Sequence, residues 1–181
     1  ACTYGELATC VQKISSLFKD REDKIIGIVA ENRLETYASI LSALICGKAY
    51  VILHPSYPKH RNDRIAGLAG IRLVLHTKNI HVLNLDTRNL ELICTSEIEQ
   101  AENSTTFHAA EDILHTAEEE NAYIIFTSGS TGEPKGVPIS RRNLNAFYTA
   151  YHRLGWQLDE NDRMLQMFEL TFDVSIVSFL Y

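Results

Sequence analysis

The chain has 181 residues, of which 45% are hydrophobic and 22% are charged, and its formal net charge is −6 at pH 7. This composition is that of an ordinary globular domain, and it excludes collagen-like, coiled-coil and disordered chains. A net negative charge disfavours sequence-independent binding to nucleic acid. The uncharged apolar stretch 36–47 is shorter than the roughly 18 residues that a membrane span needs. We therefore expect neither a nucleic acid partner nor a membrane partner.

The cysteines are too scattered to share a site. Cys2, Cys10, Cys46 and Cys94 form no CxxC pair and show neither zinc-ligand spacing nor a disulfide framework. Cys46 and Cys94 lie in apolar runs, where a free thiol packs like a small hydrophobic side chain. We predict free thiols, no metal-binding residues and a cytoplasmic protein.

The first part of the chain alternates helical and extended patterns. The spacing of its apolar residues predicts helices over 4–18, 34–45 and 61–68 and strands over 24–30, 49–53 and 72–76. Gly47 stands where a left-handed residue would end the second helix. Helices and strands of these lengths are typical of crossover units. We therefore predict an α/β fold with a mainly parallel sheet and helices on both faces.

The second part of the chain begins with a less regular region. Short apolar runs at 81–85 and 90–94 predict a local hairpin. Residues 97–120 form an acidic connector that contains no lysine or arginine, and we interpret it as a solvated loop with a short surface helix. The nearly all-apolar run 121–127 then predicts a strand covered on both faces.

The last part of the chain predicts a helix, a strand and the start of another helix. Ser140 suits the N-cap of a helix that Gly155 closes, and its aromatic stripe is interpreted as core packing. A strand is predicted over 163–168. A further helix is expected to begin near Asp173.

The segment TSGSTGEPKG, residues 127–136, directly follows the predicted strand 121–127. It contains four hydroxyls, three glycines and one lysine. Glycines let backbone N–H groups converge on an anion, hydroxyls donate further hydrogen bonds, and the ammonium group supplies charge. The segment matches neither the Walker nor the GxGxxG pattern, and Pro134 argues against a helix start at Lys135. We predict a loop between two strands that folds over phosphates; a hydroxyl-rich surface turn is the alternative.

The string YIIFTSGSTGEPKGV, residues 123–137, resembles the signature phosphate loop of the adenylate-forming (AMP-binding) superfamily. Weaker matches follow the family's order at 3–7, at 47–51 with 55–58 and 64–65, and at 172–175. The resemblance covers nearly the whole chain and is closest to the adenylation domains of nonribosomal peptide synthetases and to D-alanine–carrier-protein ligases. His54 stands where the second motif usually has an acid, and we interpret it as a turn residue.

The resemblance implies that an amino acid, or another small carboxylic acid, is condensed with ATP to an acyl-adenylate with release of pyrophosphate. The acyl group then passes to the phosphopantetheine thiol of a carrier protein. Mg²⁺ is expected to bridge the phosphates. The residues implied to bind the nucleotide are Thr127, Ser128, Gly129, Ser130, Thr131, Gly132, Lys135 and Gly136. Lys135 and Thr127 are the implied catalytic residues.

The resemblance also implies that the chain is incomplete. Residues 1–181 would be part of the N-terminal ATP/AMP-binding domain of the enzyme, without the remainder of that large domain and without the C-terminal lid domain. We therefore expect the chain alone to be inactive.

The motif FDVS, residues 172–175, carries the predicted substrate contacts. The family's aspartate at the position of Asp173 pairs with the α-ammonium group of an amino acid, and a carboxylate among apolar neighbours is costly to bury without a cation. A helix-capping role for Asp173 is the alternative. Val174 and Val177 are implied to face the side-chain pocket, which favours a small or apolar amino acid.

Two other functions remain open from the sequence. An acyl- or aryl-CoA ligase of the same superfamily would lack the aspartate that binds the ammonium group. A non-catalytic nucleotide-binding module would keep the fold without turnover.

Overall fold

The computed structural model describes residues 2–77, 84–98, 118–128, 132–155, 159, 162 and 165–180. The helices are α1 (Tyr4–Ser16), α2 (Leu34–Ile45), α3 (Lys59–Ala69), α4 (Arg141–His152) and α5 (Ser175–Leu180). The strands are β1 (Ile25–Val29), β2 (Ala49–Leu53), β3 (Leu73–His76), β4 (Glu91–Cys94), β5 (Asn121–Ser128) and β6 (Pro134–Ser140). A short 3₁₀ helix covers Thr95–Glu97.

The strands form one six-stranded sheet in the order β4-β3-β1-β2-β5-β6. All neighbouring pairs are parallel except β5 and β6, which are antiparallel. Alternate residues of a strand face opposite sides of the sheet, and Ile26 and Ile28 contact the first core, which contains residues of α1 and α2. Val29 and Val51 contact the second core, which contains residues of α3. The predicted α/β fold with helices on both faces is confirmed.

Local signals determine where the first two helices begin and end. Thr3 caps α1 reciprocally with Glu6, because each side chain accepts a hydrogen bond from the other's backbone N–H. Gly47 has a φ of 72°, and the next residue, Lys48, donates its N–H to the Ala43 carbonyl over 2.8 Å. This is the left-handed helix end that the glycine predicts.

The predicted hairpin around residues 86–89 is wrong. β4 pairs in parallel with β3, so that Leu73 lies opposite Glu91. Asn84 and Leu85 lie outside any strand, and 81–83 lie outside the described residues. An isolated two-stranded hairpin is marginally stable, whereas the edge of an existing sheet offers β4 a ready partner.

The end of the chain differs from its prediction in two places. Residues 165–168 are not in a strand, and 163–164 lie outside the described part of the chain. The aromatic stripe of α4 is not core packing: Phe147 and Tyr148 are 47% and 42% exposed. Phe147 instead contacts Tyr151 within the helix, with the ring centroids 5.9 Å apart. An apolar stripe indicates which residues share a face, but it does not determine which element covers that face.

Arg141 joins the start of α4 to the end of α2. Its side chain is buried, and its Nη1 and Nη2 donate to the carbonyls of Leu44 and Lys48 over 2.8 and 3.2 Å. Burial lowers the pKa of Arg141, and the charge of Glu120 opposes that change. The guanidinium group therefore satisfies carbonyls at a helix end, where intrahelical donors are missing.

We expect Arg141→Met to lower the free energy of unfolding by about 2–3 kcal/mol, because two carbonyls lose a charged donor away from water. Urea unfolding of the chain measures the loss. Arg142→Met is the matched control, since Arg142 is 63% exposed and pairs with Glu119 at 2.8 Å; exposed pairs contribute about 1 kcal/mol at most. Equal losses in the two variants would contradict the capping role of Arg141.

Candidate active site

Residues 127–136, the phosphate loop, comprise the end of β5, the connection after it and the start of the antiparallel strand β6. The strand register places Thr127 opposite Lys135 and Ser128 opposite Pro134. Residues 129–131, the predicted nucleotide contacts Gly129, Ser130 and Thr131, lie outside the described residues. The prediction of a loop between two strands is confirmed.

The phosphate loop lies at an edge of the sheet suited to ligands. β2 and β5 are parallel neighbours, so their carboxyl ends meet at the same edge, and open α/β sheets bind ligands outside carboxyl strand ends. The turn after β2 lies at this edge too. There His54 Nδ1 accepts a hydrogen bond from the N–H of Ser56 over 3.1 Å, which agrees with the predicted turn role of His54.

Lys135 and Thr127, the two predicted catalytic residues, lie directly opposite each other across β5 and β6. Residues that are opposite each other in a sheet share a face. Lys135 is exposed, and no carboxylate of the described residues lies within 4.0 Å of its ammonium group. The ammonium group is therefore available to an anionic ligand, on the same side of the sheet as the Thr127 hydroxyl, which donates to the Lys135 carbonyl over 3.5 Å.

The two described glycines of the phosphate loop serve different purposes. Gly132 has a φ of +82°, with open space where a Cβ atom would lie. Gly136 is opposite Phe126, and a Cβ atom on it would lie 3.0 Å from Phe126 Cζ. Gly136 thus makes room for an aromatic ring on β5, a packing role that the sequence did not predict.

We expect Gly136→Ala to lower the free energy of unfolding by about 1–3 kcal/mol, because the new methyl group overpacks against the Phe126 ring. A Phe126→Leu background should remove most of this cost. Gly132→Ala should also destabilise the chain, by about 1–2 kcal/mol, since its left-handed backbone is strained for alanine, but Phe126→Leu should not rescue it. Urea unfolding of the five variants measures these differences, and a rescue of both glycine variants would contradict the packing role.

Asp173, the predicted substrate-binding carboxylate, lies just before α5. Its Oδ1 accepts a hydrogen bond from the N–H of Val174 over 2.8 Å. Asp173 is exposed, and its neighbours Phe172 and Val174 are 58% and 40% exposed. The carboxylate is therefore accessible to solvent and is not enclosed by its apolar neighbours. Its side chain makes no hydrogen bond to the N–H of Ser175 or Ile176, the first residues of α5, so the capping alternative gains no support.

Tyr123 links the region of Asp173 to the phosphate loop. Burial and, to a smaller extent, the charge of Asp173 raise the pKa of Tyr123 to about 12. Tyr123 and Thr127 lie on one face of β5, because side chains four residues apart on a strand point the same way. Ile176 of α5, three residues after Asp173, packs in the first core together with Tyr123, so Asp173 adjoins a helix on the face of the sheet that carries Thr127 and Lys135. Val177 is half-buried in α5 and Val174 is exposed before it.

The sequence did not predict two contacts around this site, an aromatic stack and an ion pair. Tyr123 stacks on Tyr50 of β2 with ring centroids 5.5 Å apart, and Arg64 of α3 pairs with Glu133 of the phosphate loop at 3.1 Å. The first contact follows from the β2–β5 register, which places Tyr50 opposite Tyr123 and which a single sequence does not reveal. A long-range ion pair between exposed side chains leaves no pattern in a single sequence.

The fold is that of an adenylate-forming domain. The chain belongs to the AMP-binding enzyme family, whose sequence model matches residues 1–181. It is 29% identical over 178 residues to a component of plipastatin synthase from Bacillus subtilis (strain 168), and 32% identical over 185 residues to a component of mycosubtilin synthase from Bacillus subtilis. Each match covers 96% of this chain but only 7% and 6% of the relatives, respectively.

Solved structures agree with this family membership. The chain is similar to the nonribosomal peptide synthetase FmoA3 in its α-methyl-L-serine-AMP-bound form, with a TM-score of 0.76 and 27% identity over 98% of this chain and 19% of that one. The fold is shared with the Vibrio cholerae adenylation domain AlmE, in complex with glycyl-adenosine-5′-phosphate, with a TM-score of 0.82 and 19% identity. That match covers 99% of this chain and 38% of AlmE.

Three features are absent from the described residues. None of the four cysteines, all of which lie within the described ranges, forms a disulfide bond. The described part of the chain holds no group of three or more histidine, cysteine or acidic side chains arranged to bind a metal ion. No helix within the described ranges is both long enough and apolar enough to cross a membrane.

Proposed function

We propose that this chain is part of an enzyme that activates an amino acid with ATP as an aminoacyl-adenylate, releases pyrophosphate, and transfers the acyl group to a carrier-protein phosphopantetheine thiol. The chain would form part of the N-terminal nucleotide-binding domain, and the enzyme would be cytoplasmic. Membership in the AMP-binding enzyme family supports the adenylation step. The similarity to components of peptide synthetases supports the amino acid substrate and the carrier protein.

The observation that carries the proposal is the position of Lys135. Its exposed ammonium group lies across from the Thr127 hydroxyl, at the loop end of the β5–β6 hairpin. Phosphoryl chemistry depends mainly on positioning and on neutralising charge. Lys135 would bind the β and γ phosphates, with Thr127, Ser128 and the backbone near Gly132 supplying further hydrogen bonds. Gly129, Ser130, Thr131 and Gly136 complete the proposed nucleotide contacts.

Mg²⁺ belongs to the proposal as a partner of the nucleotide. An exposed cation and neutral hydroxyls suit a polyphosphate, and the phosphate oxygens themselves are ligands that Mg²⁺ prefers. When bound, the ion would neutralise part of the phosphate charge. Lys135 would neutralise the negative charge that develops on the phosphate oxygens facing the phosphate loop.

Asp173 is the proposed partner of the substrate's α-ammonium group. Its carboxylate is accessible, has no cationic partner among the described residues, and adjoins α5, which packs on the face of the sheet that carries Lys135. The FmoA3 structure, which is 27% identical to this chain, is a complex with an aminoacyl-adenylate, and this supports the same chemistry here. Val174 and Val177 would border the side-chain pocket, so a small or apolar amino acid is the proposed substrate class.

The test is exchange of labelled pyrophosphate into ATP by the full-length protein, measured across the twenty amino acids and a set of simple fatty and aryl acids. We expect exchange that depends on one amino acid or a few small or apolar ones. Exchange with fatty or aryl acids alone would favour the acyl-CoA ligase alternative. Nucleotide binding without any exchange would indicate a non-catalytic module.

A further inference from the structure

One ion pair connects α3 to the phosphate loop. Arg64 Nε lies 3.1 Å from Glu133 Oε2, and the two side chains are 57% and 66% exposed. The last pair of the β5–β6 ladder joins Ser128 to Pro134, so Glu133 lies just beyond the ladder. Lys135 follows two residues later. The ion pair therefore connects the loop to α3 at a residue that the β5–β6 ladder does not hold.

The part of α3 that carries Arg64 is packed firmly against the sheet. Ile65 and Ala66, the residues that follow Arg64, are 1% and 6% exposed in the second core. The backbone of Arg64 is therefore held in place by the packing of α3. Its guanidinium group can then restrict the loop to a limited range of positions. Glu133 and Lys135 are separated only by Pro134, whose ring fixes its own φ, so a restraint on Glu133 is transmitted to Lys135.

We propose that Arg64 and Glu133 are positioning residues that hold the start of β6, and with it Lys135, in place for the nucleotide phosphates. The inference rests on the proposed function, because it requires Lys135 to bind the triphosphate. Neither Arg64 nor Glu133 needs to contact the nucleotide in this arrangement. Glu133 in particular contributes through Arg64, although its own charge repels a phosphate.

This repulsion separates positioning from simple electrostatic attraction. If Arg64 merely attracted phosphate and Glu133 merely repelled it, Glu133→Gln would lower the KM for ATP. If the pair positions Lys135, Glu133→Gln raises that KM, because the loop loses its attachment. The two explanations therefore predict opposite signs for one substitution.

The experiment compares Arg64→Gln, Glu133→Gln and the exchanged pair Arg64→Glu with Glu133→Arg in pyrophosphate exchange by the full-length enzyme. We expect each single variant to raise the KM for ATP about two- to fivefold, the scale of an exposed ion pair, and the exchanged pair to restore it. The single-variant effects should shrink as salt is added, because exposed charges are screened. Lys59→Gln is the control, since it removes another exposed ion-paired cation of the same helix and should leave the KM unchanged.

Hydrogen–deuterium exchange without nucleotide gives a second readout that does not depend on activity. Backbone amides of residues 132–137 should exchange faster in Arg64→Gln and Glu133→Gln than in the wild type, and at the wild-type rate in the exchanged pair. An unchanged or lower KM in Glu133→Gln, or no rescue by the exchanged pair, would overturn the inference. If the wild type shows no amino-acid-dependent pyrophosphate exchange, the proposed function is wrong, but the hydrogen–deuterium exchange still tests the ion pair. Equal amide exchange rates in the wild type and all variants would show that the Arg64–Glu133 pair does not restrain the loop.

Discussion

We expect Lys135→Ala to reduce the rate of amino-acid-dependent pyrophosphate exchange by about a hundred- to a thousandfold in the full-length enzyme, the scale for losing one preorganised donor to developing charge. The effect should be large because Lys135 is the cation that the β5–β6 hairpin presents across from Thr127. Lys135 is exposed and has no described ionic partner, so the substitution removes charge without removing a packing contact. The unfolding transition should therefore stay within experimental error of the wild type.

Lys19→Ala is the matched control for this variant. Lys19 is an exposed lysine in the turn after α1, remote in sequence from the phosphate loop, and its removal should leave the exchange rate unchanged. A loss smaller than threefold in Lys135→Ala would exclude the proposed role. A large loss accompanied by a lowered unfolding midpoint would instead indicate a structural contribution.

The sequence predicted the fold well because its signals are local. Periodicity of apolar residues is sufficient to place α1, α2 and β2, and Gly47 marks a helix end through its own backbone conformation. Helices and strands that alternate at crossover lengths then restrict the sheet to a mainly parallel arrangement. The phosphate loop is equally local, since its hydroxyls, glycines and lysine follow one another along the chain.

The features that the sequence did not predict depend on distant partners. β4 could not be assigned to β3 from its own residues, because an apolar run carries no record of the strand beside it. Phe126 and Gly136 form a pair only through the β5–β6 register. Arg141 contacts carbonyls of α2, and nothing distinguishes it in the sequence from its exposed neighbour Arg142.

We expect Asp173→Ala in the full-length enzyme to weaken amino acid binding by about 2–5 kcal/mol, roughly thirtyfold to several thousandfold, because a bound substrate would cover the exposed carboxylate and its ammonium group would then lack its charge partner. ATP affinity should stay nearly unchanged. Asp173 adjoins α5, which packs on the face of the sheet that carries Lys135, but it contacts Val174 rather than the phosphate loop, so its removal should not disturb the nucleotide phosphates. The selective loss follows from this separation.

Titration of both ligands against the variant measures the two affinities directly. Glu169→Gln is the control, since Glu169 is an exposed acid of the same segment and its neutralisation changes the local charge by the same amount. Equal losses of amino acid and ATP affinity in Asp173→Ala would indicate a general disturbance of the domain. No loss of amino acid affinity, or an equal loss in Glu169→Gln, would show that the α-ammonium group is bound elsewhere, because only a direct partner responds to removal of that one carboxylate.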